Sequence, residues 1–392
     1  MMGKSFMSEL KRQPLVSDEK AIQAALKRRL EPAGVFPNRD EAIGLLKTQP
    51  LRVYLGIDPT GPDIHLGHTI PLLFLKQLWQ LGHTPVIVIG DFTARIGDPT
   101  GKDATRKPLS PEDITKNMAH YLPQLKKILP EGSFEVLYNN DWLSKLSFGD
   151  VVQLASHMTV QQMIKREMFQ ERLAKERPIG LHEFLYPLMQ GYDSVAMKID
   201  GEVGGNDQTF NMLVGRELEK KLLNKDKLVF ATRLLVAASS GKKMSKSEGE
   251  LIALSDEPQE IRRKILAIDD SMIQTVFELC TEKPQDWINE NKSKAPREWK
   301  EELADELVRM YRGETAVGEA HQAKEVSLGS DTIPLTAALK LFGVASSMTI
   351  SKTLIDQGAV EVNEEVIKDW DFRVKLGDRV QVGKGKKFIA AK

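Results

Sequence analysis

The sequence predicts an α/β protein built mainly on a doubly wound parallel sheet, with a helical domain and a small α+β module behind it. Three observations carry this. The stretch Val53–Thr69, VYLGIDPTGPDIHLGHT, opens as a β-prone run, turns at Asp58-Pro59-Thr60-Gly61-Pro62 and continues as a helix through Leu72, Leu73, Leu75 and Leu78. Val86–Ile89 follows as a continuous apolar strand, the pattern of a sheet covered on both faces. Beyond Ser327–Pro334, which reads as a linker, the chain turns to short strands joined by turns. A length of 392 residues accommodates two or three such units.

Taken in order, residues 1–50 read as a helical extension, with a cap at Ser17 before Ile22, Leu26 and Leu30 and an end near Pro32-Ala33-Gly34. Residues 51–57 form the first strand, and the next helix is expected to start at Asp63, which can cap it. Strand, helix and strand at this spacing make a βαβ unit, whose ligands bind at the strands' carboxyl ends. A mostly helical insertion around 110–180 is interrupted by a strand at Glu135–Tyr138. Its apolar residues Leu154, Met158, Met163 and Ile164 fit either core or a subunit interface. Helices at Leu181–Met197 and Phe210–Leu223 and a strand at Leu228–Ala231 complete a domain spanning 51–238. The polar loop Ser239–Gly249 opens a helical domain, 239–328, broken by Pro258, Pro284 and Pro296. In 329–392, two short helices (Thr336–Phe342 and Ser351–Gln357) precede strands at Val360–Val362, Val366–Ile367, Arg379–Val382 and Lys387–Ile389.

Bulk properties narrow the class. Zero formal net charge with 28% charged and 41% hydrophobic residues suits a soluble enzyme and leaves room for a local basic patch. The single cysteine, Cys280, excludes an internal disulfide and a cysteine metal cluster. No apolar run has the length of a membrane span, and Lys4, Lys11 and Arg12 alternate with Glu9, Asp18 and Glu19 unlike a targeting peptide. A cytoplasmic protein with no membrane partner is expected.

Two short motifs could carry chemistry. His65-Leu66-Gly67-His68 stands where a helix start leaves unpaired N–H groups and partial positive charge, a ready anion site. There Gly67 would clear space for a flat base. Alone, the two histidines fit equally an ordinary polar first turn. Lys243-Met244-Ser245-Lys246-Ser247 lies in a Gly/Ser loop whose ammonium groups could stabilise departing pyrophosphate. Alone, it fits a solvated surface loop. Gln190 and Asp193, at i and i+3 in an apolar helix, need polar partners from backbone or ligand.

The ordered pair H-L-G-H and K-M-S-K-S resembles the double signature of class I aminoacyl-tRNA synthetases, and the surrounding residues resemble the bacterial tyrosyl-tRNA synthetase family. The resemblance runs through most of the chain and implies a Rossmann-like catalytic domain. It implies tyrosine-binding roles for Tyr54 and Asp193 at the phenol, for Asp98, Tyr186 and Gln190 around the ammonium end, and for Gln208 in a loop contacting ribose and substrate. Tyr186 precedes Pro187, which disfavours helical geometry at that position. ATP would meet Gly56, Asp58, Thr60, His65, Gly67, His68, Lys102, Arg106, Asp207, Lys243 and Lys246. His65, His68, Lys243 and Lys246 would be catalytic. No tightly bound cofactor is implied, since ATP enters as a substrate with Mg2+. Asn139-Asn140-Asp141-Trp142 also resembles a family sequence, with no direct role assigned.

The family activates L-tyrosine to tyrosyl-adenylate and passes it to the terminal adenosine of tRNA(Tyr), so tRNA is the implied partner and a homodimer through 110–180 the implied assembly. The last module resembles a small RNA-binding fold, with Lys352, Lys384, Lys386 and Lys387 as candidate RNA contacts. A solvated basic tail is the plainer reading of that strip. Three competitors fare worse. Gly97-Asp-Pro-Thr-Gly101-Lys102 has three residues between its glycines and Asp103 after the lysine, so it is no phosphate-binding loop. A small-molecule adenylyltransferase would share H-x-G-H but leaves K-M-S-K-S, Tyr54 and Asp193 unexplained. A non-catalytic RNA-binding descendant would have lost signature residues, and none is lost.

Overall fold

The fold is seen in a computed structural model, which describes residues 10–98, 109–236, 251–383 and 386–391. Lys102, Arg106, Lys243, Lys246, Lys384 and the side chains of Lys386 and Lys387 lie outside the described residues. Two compact units form, residues 10–236 with 278–282, and residues 251–277 with 283–391.

The first unit is built on a six-stranded sheet. Its strands are β1 (Leu30–Phe36), β2 (Arg52–Ile57), β3 (Thr84–Ile89), β4 (Glu135–Tyr138), β5 (Gly201–Gly205) and β6 (Leu228–Thr232). They lie in the order β1-β6-β5-β2-β3-β4. All neighbours from β6 to β4 pair in parallel, and β1 closes the edge antiparallel to β6. The chain runs from β2 outward through β3 to β4, then returns to β5 on the other side of β2. That reversal between β2 and β5 opens a crevice at their carboxyl ends, the usual ligand position in such sheets. The Leu66–Gln80 helix, with Ile70, Leu72, Leu73, Phe74, Leu75 and Leu78 all buried, lies between β2 and β3 in sequence.

Two expectations about this unit need correction. Residues 1–50 are not all helical: helices Glu19–Arg28 and Arg39–Thr48 flank the strand β1. The cap of the first helix is Asp18, and the Ser17 hydroxyl donates to Lys47 O at 3.2 Å instead. Leu30 and Val35 are buried opposite Thr232 and Phe230, and the register breaks between them, where Pro32 and Gly34 sit. An edge strand tolerates the missing proline donor. A Cβ at Gly34 would lie 2.5 Å from Ala231 O, so Pro-Ala-Gly marks an edge bulge rather than a helix end. Second, the helix expected from Asp63 begins at Leu66, with His65 as its cap.

A buried acid in this unit has a measurable consequence. Glu219, in the Thr209–Leu223 helix, is 0% exposed, and neither carboxylate oxygen has a hydrogen-bond partner among the described residues. Burial pushes its carboxyl up to about 7, against the opposing charges of Lys227 and Lys225. An acid raised on folding contributes stability below its unfolded value that is lost as pH climbs through the folded one. A tenfold difference in proton affinity between the folded and unfolded chain is worth roughly 1.4 kcal/mol. Glu219→Gln should therefore be about 2–3 kcal/mol more stable than the parent chain at pH 8. At pH 5 chemical denaturation should find little difference.

In the second unit prolines start helices rather than break them. Pro258 and Pro296 lie in the first turns of Pro258–Leu266 and Pro296–Arg312, and Pro284 immediately precedes Gln285–Asn291. Their missing N–H groups would be unpaired there in any case. The stretch expected to be a linker, Ser327–Pro334, instead contributes to two strands, β7 (Lys324–Ser327) and β8 (Thr332–Pro334). The remaining strands are β9 (Val360–Val362), β10 (Glu365–Val366), β11 (Arg373–Lys375), β12 (Arg379–Val382) and β13 (Lys386–Ala391). They make a five-stranded sheet, β10-β9-β12-β13-β7, and a β11-β8 pair. Buried Leu328 and half-buried Val326 and Ile333 join the core of Leu335, Leu339, Val360 and Phe388, which explains why that stretch is ordered into strands.

Candidate active site

The site assembles where β2, β3 and β4 end. Asp58 follows β2, Thr93 lies just past β3, and Asn139 follows β4. Asp58 Oδ1 accepts from the Thr93 hydroxyl at 2.7 Å, and Asn139 Nδ2 donates to Thr93 Oγ1 at 3.0 Å. Gly90 makes this approach possible, because a Cβ there would fall 2.0 Å from Asp58 Oδ1. Asn139 Nδ2 also donates to Asp193 Oδ2 at 3.3 Å, and Trp142 Nε1 donates to Asp193 Oδ1 at 2.7 Å. Asp193 is thus joined to the first turn through a continuous polar chain. Burial pushes its carboxyl well above the usual range, while the Trp142 and Asn139 donors pull it back.

The helix Tyr186–Met197 presents Tyr186, Gln190 and Asp193 at i, i+4 and i+7, on one face. Pro187 falls in its first turn and leaves Tyr186 as the first helical residue, so the proline does not displace it. The Tyr186 hydroxyl donates to Asp58 Oδ2 at 2.8 Å. Burial, with the charges of Asp58 and Asp98, keeps that phenol protonated. Tyr54, fully buried in β2, has its hydroxyl 3.2 Å from Ser194 Oγ and 3.4 Å from Gln190 O. Beyond β5, Gln208 Nε2 donates to Asp98 Oδ2 at 2.7 Å, with half-buried Asp207 beside it in the turn Asn206–Gln208. Gly56 is the exposed position of a strand whose inner residues are buried, so the β2 backbone is open there.

At the start of the Leu66–Gln80 helix the two histidines stack, ring centroids 3.7 Å apart at 28°. His65 Nδ1 accepts from Gly67 N at 3.2 Å, and His68 Nδ1 accepts from His65 N at 3.3 Å. With both Nδ1 atoms accepting, each neutral imidazole carries its proton on Nε2. A Cβ on Gly67 would stand 3.2 Å from the His65 ring, so glycine keeps that ring uncrowded. Thr60 N donates to Asp58 O at 2.7 Å and tightens the turn ahead of them.

A family model described as tRNA synthetases class I (W and Y) matches residues 46–328, and an S4 domain model matches 337–380. The chain belongs to the class I synthetases of that description. It is 42% identical to a tyrosine–tRNA ligase of Carboxydothermus hydrogenoformans over 92% of this chain and 96% of that one. It is 39% identical to tyrosine–tRNA ligase 2 of Vibrio parahaemolyticus over 93% and 97%. Among solved structures, a truncated mitochondrial tyrosyl-tRNA synthetase of Coccidioides posadasii superposes with a TM-score of 0.63 at 24% identity, covering 77% of this chain and 90% of that one. The synthetase of Archaeoglobus fulgidus does so at 0.61 and 22%, over 77% and 100%. Both show the shared fold.

In this class I frame the structure brings together Tyr54, Asp58, Asp98, Tyr186, Gln190, Asp193 and Gln208 by direct or shared hydrogen bonds. Lys352 belongs to the S4 module, its Nζ 4.5 Å from the Trp370 ring centroid. Sequence reasoning missed Thr93, Ser194, Glu202, Asn211 and Lys227, and gave Asn139 and Trp142 no role. One signal existed: Glu202 is the single charged residue in the otherwise apolar or glycine stretch Gly201–Gly205. Lys227 carried none, since Lys225-Asp226-Lys227 reads as a solvated turn.

Proposed function

We propose that the protein is a tyrosine–tRNA ligase in which Tyr54 and Asp193 select the substrate phenol. The observation that carries this reading is the buried Asp193, held by Trp142 and Asn139 next to Ser194, which bonds Tyr54. A substrate lacking the hydroxyl would leave these buried polar groups unpaired, a rule for which tyrosine-specific synthetases are themselves the usual illustration. Asp98, Tyr186, Gln190 and Gln208 receive the amino end. Gly56, Asp58, Thr60, Gly67, Asp207, Lys102 and Arg106 surround ATP, which arrives with Mg2+ as one substrate.

The tyrosine carboxylate is already ionised, so attack on the α-phosphate needs no protein base. The tasks left are positioning and charge stabilisation. The Nε2–H groups of His65 and His68 serve the α-phosphate region, and Lys243 and Lys246 the leaving pyrophosphate. A ribose hydroxyl of the terminal tRNA adenosine then attacks the adenylate carbonyl, releasing AMP. The S4 module, with Lys352, Lys384, Lys386 and Lys387, holds RNA. The direct test is charging: the chain with ATP, tyrosine and tRNA(Tyr) should yield an ester at the terminal adenosine, and an adenylate never passed to tRNA would refute the reading.

The assembly is a homodimer through the 110–180 region. Phe148 is 85% exposed and Leu181 80%, with Val152 one turn from Phe148 on the same helix. Light scattering should give twice the chain mass of 44.0 kDa, and Phe148→Glu should return it to the monomer. A monomeric parent chain would contradict the assignment.

A further inference from the structure

Behind the proposed tyrosine site lies an ion pair that no step above uses. Glu202 and Lys227 are 1% and 0% exposed, and the Lys227 ammonium donates to Glu202 Oε2 and, at 2.8 Å, to Ser194 Oγ. A Cβ at Gly215 would fall 2.6 Å from that ammonium, so the neighbouring helix keeps a slot open for it. Such a pair returns about what its desolvation costs, and stability does not account for it. Its other contact does. Glu202 Oε1 accepts from Gln190 Nε2 at 3.0 Å, and Gln190 Oε1 accepts from Asn211 Nδ2 at 3.0 Å. Asn211 Nδ2 donates as well to Gln208 Oε1 at 3.0 Å, and Gln208 Nε2 donates to Asp98 at 2.7 Å.

Each amide has one donating and one accepting end, while an ionised carboxylate only accepts. With a carboxylate at either end of the chain, the three amides have one mutually consistent set of orientations. Gln190 must turn its NH2 toward Glu202 and its carbonyl oxygen away, where a second lone pair can meet a cation. A flipped Gln190 would offer donors to a positive group. Resting on the tyrosine-binding reading above, we infer that Glu202, Lys227 and Asn211 are positioning residues that orient Gln190 and Gln208 to receive the substrate's α-ammonium.

Two ligands separate this from a structural role: tyramine, which has phenol and ammonium, and 4-hydroxyphenylethanol, which has the phenol alone. Calorimetry on the full chain should find tyramine the tighter ligand. Glu202→Gln alone leaves Lys227 buried without its counter-charge, so the variant of choice is Glu202→Gln with Lys227→Met, which removes both charges and keeps the volume. Asn211→Leu tests the other end of the chain without adding charge. In Asn211→Leu the preference for tyramine should fall about tenfold or more, with 4-hydroxyphenylethanol held within about threefold. The double variant also loses the Lys227 contact to Ser194 beside Tyr54, and there the ratio of the two affinities should fall by a similar factor. An unchanged preference, or an equal loss for both ligands, overturns the positioning role alone. A parent chain that binds neither tyrosine nor either analogue overturns the tyrosine reading itself.

Discussion

Replacing Asp193 with asparagine is expected to lower kcat/KM for tyrosine about a hundredfold or more, the effect of losing a charged acceptor in a desolvated site. Trp142 and Asn139 both donate to this carboxylate, so an amide in its place faces two donors with only one accepting atom. The substrate phenol then loses its acceptor as well. A companion variant separates charge from shape. Trp142→Phe removes one of the hydrogen bonds that pull the Asp193 carboxyl down against burial. Its pKa should rise, and the acid limb of kcat/KM against pH should move to higher pH. At pH values above that limb the variant should approach the parent. A shift to lower pH would mean that Trp142 does not act through Asp193.

The second large effect belongs to His68. His68→Gln keeps the capping geometry, because glutamine at the third helical position can still accept from the His65 N–H, as His68 Nδ1 does. It removes the imidazole Nε2–H. Tyrosine activation should slow about 10²–10³-fold, while tyrosine affinity stays within about threefold and thermal stability barely moves. Pre-steady-state measurement of adenylate formation, with equilibrium binding of tyrosine, reads both. A collapse of tyrosine affinity with the activation rate intact would remove His68 from the phosphate role. His65 is less clean a test, since its ring caps the helix and His65→Ala should also cost about 1 kcal/mol of stability.

The parallel core was legible where its signals are local. Val86–Ile89 is apolar throughout, whereas Gly201–Gly205, which forms the central strand β5, reads in the sequence only as a glycine turn and loop. Strand β1 was not legible. Its Pro32 and Gly34 are the residues that end helices, and only pairing with β6, some two hundred positions away in sequence, makes them an edge bulge. The helix start failed for a related reason. Asp63 is the better cap by type, but His65 holds that place because its own ring and that of His68 close the box. In the site, the residues quoted from motifs came from the family resemblance, and hydrogen bonds link several of them, among them Tyr54 with Gln190, Tyr186 with Asp58 and Gln208 with Asp98. Glu202, Asn211 and Lys227 come from separate elements and converge only in three dimensions, so no spacing announces them.

The claim at the centre is that the pocket around Tyr54 and Asp193 selects tyrosine for adenylation. The measurement closest to it is ATP–pyrophosphate exchange by the full chain with each of the twenty amino acids in turn. Tyrosine alone should drive strong exchange, with phenylalanine near background. No exchange with tyrosine, or faster exchange with tryptophan, would contradict the account.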